Sequence, residues 1–500
     1  MKSTNRNQNR TLCQNLSGEL FSAVLAVLFL LFSGNVLLAQ QVDRSAPPKL
    51  GPPPILHLPA IQRFQLANGL PVVLMEKHQV PLVQINVLIK AGIVNEPPGQ
   101  NGLASMTAEM LDEGAGRRDA LQLADAIDFL GAQISTSAGY HNSVVSLHTP
   151  AARLDSALRL LSDVVRRPTF PQKELNRLRK ERLTALLQLH DRPTGIASVL
   201  FNRILYGRKH PYGRIRLGNE KSLRKFTVAD LREFYRRNFV SNNAAIIVVG
   251  DVTWEEILPR LEKAFGNWAS GRPAALKLPA VSQVKKERIY LVDKPGAAQS
   301  VIRIGRIGVS RKTADYYPLV VMNTLLGGSF TSRLNQNLRE EHGYSYGAGS
   351  SFSFRPLPGP FLAGASVQTD VTDKALAEFM KELNNIRKPI NDEELTRAKN
   401  YVALRFPRRF QTVRGIAAQL QDLVAFDLPE DYFNNYIPKI LAVTRADVEQ
   451  VARKYIVPDK MAIVVVGDRG KIGRGIRALH LAPVKFLKID DVLGKIPRKK

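Results

Sequence analysis

Thr227-Val-Ala-Asp230, leading to Ala244-Ala-Ile-Ile-Val-Val-Gly250-Asp251, returns further along the chain as Thr444-Arg-Ala-Asp447, leading to Met461-Ala-Ile-Val-Val-Val-Gly467-Asp468. In each copy a Thr with an Asp three residues on marks a capped helix start, and the apolar run that follows reads as a fully buried strand stopping at Gly-Asp. The Thr, the capping Asp, the Gly and the final Asp all stand at one offset. Upstream, His148-Thr149, Ala157-Leu158 and Glu174-Leu175 are matched at nearly the same offset by Gln368-Thr369, Ala375-Leu376 and Glu394-Leu395. Two matches in order at one spacing identify a duplicated domain.

Each half alternates Val/Ile-rich strands with amphipathic helices, such as 154–165, 173–189 and 371–386, which predicts an α+β fold with α/β layering. The expected architecture is two homologous domains, each a mixed β-sheet covered by helices. A chain of 500 residues exceeds what one core organises, in agreement with two domains. The expected boundaries are 61–268 and 287–482, with a connector at 269–286 that contains Ser270-Gly271-Arg272-Pro273 and Pro279. Asn68-Gly69 predicts a hairpin turn at the start of the first domain.

Residues 1–39 read as a secretory signal peptide: Lys2, Arg6 and Arg10 precede the apolar run 20–32, and small residues follow up to Ala39. Export with cleavage near Ala39, to a periplasmic or extracellular location, is the expectation, and an uncleaved anchor is the alternative. Residues 40–60, with six prolines between Pro47 and Pro59, read as an extended linker. The single cysteine, Cys13, lies in the leader, so the mature chain would have no disulfide, cysteine-bound zinc or cysteine nucleophile. A net charge of +27 points to acidic peptides or an anionic envelope surface. No nucleic-acid partner is expected, because the basic residues are scattered and no stacking motif accompanies them. The end of the chain, 483–500, reads as a solvated basic tail.

Two stretches carry a family resemblance. Ala91-Gly-Ile-Val-Asn-Glu-Pro-Pro-Gly-Gln-Asn-Gly-Leu-Ala104 resembles the strand and loop that lead into the first long helix of the pitrilysin/insulinase/mitochondrial-processing-peptidase family, and Leu326-Gly-Gly-Ser-Phe-Thr-Ser-Arg-Leu to Gly347 resembles its C-terminal substrate-binding stretch. The resemblance implies a two-domain clamshell. Active members carry His-x-x-Glu-His on that first helix, with two zinc ligands one turn apart and a general base between them, and a Glu on a later helix as third ligand. Here the histidine positions are Ser105 and Glu109, the base position is Ala108, and the third ligand falls on Ala185. No metal is assigned to this chain. Glu109 and Glu113 alone are a weak ligand pair, and His57, His78, His141, His148, His190, His210, His342 and His480 read as surface or packing residues.

The same resemblance places Arg339 and Tyr346 on an Arg/Tyr pair that faces the zinc helix and holds substrate in the family. A guanidinium can donate to a peptide carbonyl, and a phenol can donate to a developing oxyanion. The implied function is a non-catalytic, substrate-binding subunit, inactive alone, that forms a heterodimer with a zinc-motif paralogue and cleaves peptides with the partner's zinc. The alternative is a non-proteolytic scaffold of the same fold.

Overall fold

The computed structural model describes residues 56, 58–273, 276 and 278–495. The expected signal peptide and most of the expected linker lie outside the described residues.

In the first half the strands are β1 (Gln62–Gln65), β2 (Pro71–Glu76), β3 (Leu82–Ile89), β4 (Gln133–Ala138), β5 (Ser143–Pro150) and β6 (Ala244–Gly250). They form one mixed sheet in the order β1-β2-β6-β3-β5-β4. In the second half β7 (Arg288–Asp293), β8 (Gln299–Ile307), β9 (Ala348–Phe352), β10 (Pro360–Gln368), β11 (Ala462–Gly467) and β12 (Val484–Leu487) form a second sheet in the order β9-β10-β8-β11-β7-β12. β6 runs parallel to β2 and antiparallel to β3, as β11 runs parallel to β7 and antiparallel to β8. The two sheets share this plan and differ in the outermost strand, β1 in one and β12 in the other.

The helices that matter below are α1 (Leu103–Glu109), α2 (Ala120–Phe129), α3 (Leu154–Arg166), α4 (Gln172–Leu189), α5 (Pro193–Tyr206), α6 (Val228–Asn238), α7 (Trp254–Phe265), α8 (Tyr316–Asn323), α9 (Thr372–Asn385), α10 (Asp392–Arg405), α11 (Val413–Phe426) and α12 (Arg445–Tyr455). The repeated capping boxes are formed alike. Thr227 N donates to Asp230 at 2.8 Å and Asp230 N to Thr227 Oγ1 at 3.2 Å at the start of α6, and Thr444 and Asp447 repeat this at 2.9 and 3.2 Å at the start of α12. The three upstream pairs likewise fall at equivalent places: the ends of β5 and β10, α3 and α9, and α4 and α10.

Alternate residues of each sheet serve two different layers, as the pleat requires. Ile246 and Val248 of β6 face the helices of their own half, whereas Ile247 and Val249 pack with Ile416, Leu420 and Leu423 of α11, which belongs to the other half. In return Ile196, Leu200 and Phe201 of α5 pack on Val301, Val464 and Val466 of the second sheet. Gly305 on β8 makes this close: a Cβ there would stand 2.9 Å from the Phe201 ring and against the Phe361 carbonyl. The helices over these faces are thus exchanged between the halves.

The region expected as a solvated basic tail is, as far as residue 495, part of the fold. Val484–Leu487 adds an edge strand parallel to β7, and Val492 in the helix Ile489–Leu493 is buried among the side chains under α5. Its apolar residues, Val484, Phe486 and Val492, explain the difference, since the Lys residues between them can stay wet while the strand pairs. The connector carries no helix or strand among its described residues.

Candidate functional site

The α1 helix begins at Gly102, which has no side chain with which to cap it. Glu96 supplies the cap from the preceding loop: its Oε1 accepts the N–H groups of Gly102 at 3.0 Å and Ala104 at 3.1 Å. This carboxyl is almost fully buried, and burial pushes its pKa up to about 8 against the pull of the Ala104 N–H, Arg214, the Gly102 N–H and Arg182. In the unfolded chain the same group titrates near 4.5. The stability it contributes is therefore fully present below pH 4.5 and lost as the pH rises through 8. Glu96→Gln keeps an acceptor for both N–H groups and removes the proton. It is expected to gain stability relative to the native chain between pH 5 and 8, by on the order of 2 kcal/mol, read as a growing difference in urea midpoints.

Ser105 and Glu109 lie one turn apart on α1, and between them and α4 stands the guanidinium of Arg182. Its Nη1 donates to Ser105 Oγ at 2.9 Å and to the Gly102 carbonyl at 3.2 Å. Nε and Nη2 reach Glu109 Oε2 at 3.0 and 2.8 Å. The Arg182 side chain is buried, while Glu109 remains partly open to solvent. Ala108 is packed into the hydrophobic core of the first half. Ala185 sits one turn beyond Arg182 on α4, on the same helical face.

Both positions that the resemblance assigns to paired histidines thus touch one protein cation. A zinc ion does not fit these residues. A hydroxyl and a methyl group replace two of its ligands, the remaining carboxylate is held by Arg182, and a positive charge already occupies the gap. Glu113, the other acid considered, is engaged by Arg177, which also binds Glu174 at 2.6 Å and Glu181 at 2.9 Å. His78, His190 and His210 are hydrogen-bonded to Asp251 and Glu76, to backbone carbonyls, and to the Tyr212 N–H respectively. His141 contacts the Tyr212 hydroxyl, and burial together with Arg355 lowers its pKa to about 4. Among the described residues no group of three or more His, Cys, Asp or Glu is placed to hold a metal ion.

Sequence reasoning did not single out Arg182. The available signal was a basic residue one turn before the third-ligand position, facing an acid in a histidine position.

Beside α1 runs β4, the outer strand of the first sheet, tied to this region by Thr136 Oγ1 on Asp112 at 3.4 Å and by Arg216 on the Ala138 carbonyl at 3.1 Å. A polar cavity of about 570 Å³ opens next to it, lined by Gln84, Asn86, Asp112, Gln133, His148 and by Arg414 from the second half. Burial pushes the Asp112 carboxyl up to about 6.

In the second half the sequence suggests a turn at Gly327-Gly328, a helix over 332–341 and a strand over 344–352, and the structure departs from this. Thr324–Gly328 and Gln336–Glu341 are widened helical turns flanking the short helix Arg333–Asn335, and the strand begins only at Ala348. Gly327 is required by proximity, not by its backbone angle, since a Cβ there would run into the Ser350 backbone. Ahead of the strand, Gly343 adopts φ +65° and the Ser345 hydroxyl takes the Gly347 N–H at 3.1 Å, which holds 343–347 as a loop. Arg339 lies 4.6 Å over the Phe330 ring, with Glu340 at 3.2 Å, and is partly exposed. Tyr346, on the loop, is 91% exposed. A tyrosine so exposed serves no core, and its hydroxyl is open to a ligand, whereas the Arg339 guanidinium would have to exchange Glu340 for one.

A duplicated pair of helix-covered sheets with exchanged helices, carrying a peptidase-like helix pair locked by arginine, defines a two-domain peptidase fold without its metal. Residues 71–206 match the family described as insulinase, peptidase family M16, and residues 225–402 match the peptidase M16 inactive domain. The chain belongs to this insulinase/pitrilysin family and is a non-catalytic relative within it. It is 24% identical over 421 residues to an uncharacterized zinc protease of Rickettsia bellii, covering 82% of this chain and 98% of that one. It is 22% identical over 407 residues to a protein of Helicobacter pylori named non-peptidase homolog YmxG, covering 80% of this chain and 92% of that one. Among solved structures, the peptidase M16 inactive domain of Pseudomonas fluorescens is similar with a TM-score of 0.76 and 26% identity, covering 82% of this chain and 98% of that one.

Proposed function

We propose that this chain is the substrate-holding subunit of an exported heteromeric peptidase whose zinc is carried by a paralogous partner. The observation that carries the reading is the contrast between the two halves: the metal position is closed by a buried arginine, while Arg339 and Tyr346 stand out from the second half with polar tips unburied. A scaffold has no use for a tyrosine as exposed as Tyr346. The unpaired edge of β4, next to α1 and the polar cavity, suits an extended peptide held by main-chain hydrogen bonds. Arg339 and Tyr346 would then orient a peptide carbonyl toward the partner, which adds positioning and not chemistry.

The test is reconstitution. The purified chain alone is expected to contain no stoichiometric zinc and to cleave no peptide, and cleavage is expected on mixing with a His-x-x-Glu-His paralogue from the same source. In the mixture Arg339→Ala should lower kcat/KM by about 100-fold if the guanidinium orients the reacting carbonyl. Zinc-dependent cleavage by the isolated chain would sink the proposal. An unchanged rate with Arg339→Ala would favour the scaffold.

A further inference from the structure

Three arginines crowd the end of α10 and the 3-10 turn Phe406–Phe410: Arg405, Arg408 and Arg409. They line a cavity of about 480 Å³ together with Thr324, Gly328 and Tyr401, and no carboxylate contributes to its wall. Aromatic rings hold the guanidinium groups in place: Arg405 lies 4.8 Å over Tyr401 and donates to its hydroxyl, and Arg409 lies 5.7 Å from the Phe406 ring with Gln419 at 3.5 Å. None of the three has a carboxylate within ion-pair distance among the described residues. Asp422 is the acid whose charge is felt at Arg409, but it does not line the cavity, and its influence is shared with Arg311.

The contrast with the other basic groove is informative. Between α2, α3 and α7 a larger cavity of about 1100 Å³ also collects cations, but there Arg118 and Arg167 face Asp163 and Arg260 binds Asp155 at 2.7 Å. In that groove three acids, Asp125, Asp155 and Asp163, stand among six cations, and Asp155 and Asp163 engage Arg118, Arg167 and Arg260. No acid stands among the three arginines of the Arg405 cavity, so among the described residues none of them is tied to a carboxylate and all can turn to a ligand.

The chemistry and the position of the cavity both limit the ligand. Planar guanidinium forks match planar carboxylates in pairs, and a cavity of this size takes a few side chains and not a folded partner. Gly328 in its wall is two residues from Phe330, whose ring carries Arg339. We propose that the Arg405–Arg408–Arg409 cavity is a subsite for the acidic residues of an extended peptide. This rests on the reading of Arg339 as a peptide contact and adds to it a preference for Asp and Glu. The net charge of +27 speeds the approach of such a peptide without selecting where it lands.

The experiment is fluorescence anisotropy on the full chain at fixed ionic strength, with a short dye-labelled peptide rich in Asp and Glu and its Asn/Gln counterpart. The acidic peptide is expected to bind about tenfold more tightly, as two or three partly exposed ion pairs allow. Arg408→Ala/Arg409→Ala, which alters only exposed side chains, should bring the ratio of affinities close to one with the melting temperature unchanged. Arg159→Ala/Lys263→Ala, in the other groove, should leave the ratio as it was. Arg339→Ala should weaken both peptides alike and keep the ratio.

The subsite is overturned if the two peptides bind equally, if the double variant at Arg408 and Arg409 keeps the preference, or if the Arg159/Lys263 variant loses it just as much. Tripolyphosphate binding in the absence of any preference between the peptides would assign the cavity to a small phosphate anion and overturn the peptide assignment. If Arg339→Ala changes neither peptide while the Arg408/Arg409 variant abolishes the preference, the acidic subsite stands and the role given to Arg339 falls.

Discussion

Arg182→Leu should destabilise the protein by about 3 kcal/mol, the cost of removing one partner from a buried ionic network. The substitution leaves Ser105 Oγ and the Gly102 carbonyl without their Arg182 donor and Glu109 without its cation. The value sits at the low end of the range for such losses because Glu109 is 43% exposed and can be rehydrated. Arg182→Lys should recover less than half, since an ammonium offers a point charge where a fork spans several acceptors. Chemical denaturation measures both, and a loss under 1 kcal/mol for the leucine variant would remove the clamp assigned to Arg182.

The same residue decides whether the family's metal can be restored. Ser105→His, Ala108→Glu, Glu109→His and Ala185→Glu rebuild the ligand pattern. With Arg182 in place the rebuilt chain is expected to take up no zinc. A unit cation about 4 Å away opposes each unit of metal charge by about 4 kcal/mol at an effective dielectric constant of about 20. Adding Arg182→Leu to the four substitutions should allow zinc to bind, and atomic absorption distinguishes the two proteins. Equal zinc content in both would show that the guanidinium does not exclude the metal.

Residues 61–268 and 287–495, produced separately, should each fail to give a cooperative fold, and should become soluble together when co-expressed. Without α11 the first sheet would expose Val73, Met75, Leu88, Ile247 and Val249, all buried in the whole chain. Exposing five such side chains costs on the order of 10 kcal/mol, as much as the whole stability of a typical domain. The second half would lose Ile196, Leu200 and Phe201 from its own sheet in the same way. Circular dichroism and thermal unfolding of each half provide the measurement. A native-like melting transition in either half alone would contradict the exchange.

The duplicated plan was legible because its marks are local. A capping box, an apolar strand and a closing Gly-Asp each depend on neighbours in the chain, so Thr227 to Asp251 and Thr444 to Asp468 announce the same unit twice. The loss of ligand chemistry was legible for the same reason, since Ser105, Ala108, Glu109 and Ala185 are residue types that can be read one at a time. The start of β9 was not, because the Ser345 hydroxyl and the turn at Gly343 compete with pairing in ways that β-propensity does not record. Nor was the fate of residues 484–493, where sparse apolar residues pack only because a sheet edge and α5 are there to receive them.

By itself the sequence determined that the chain is two copies of one helix-covered sheet and that the helix carrying Ser105 and Glu109 lacks histidine ligands. Tertiary structure alone decided what stands in the metal's place and which half covers which sheet. An amphipathic pattern states that one face of a helix is buried and leaves the partner open, so the exchange of α5 and α11 had no local sign. Arg182 and Glu109 lie on separate helices, and only the packing of α4 against α1 turns two ordinary charged residues into a closed, metal-free site.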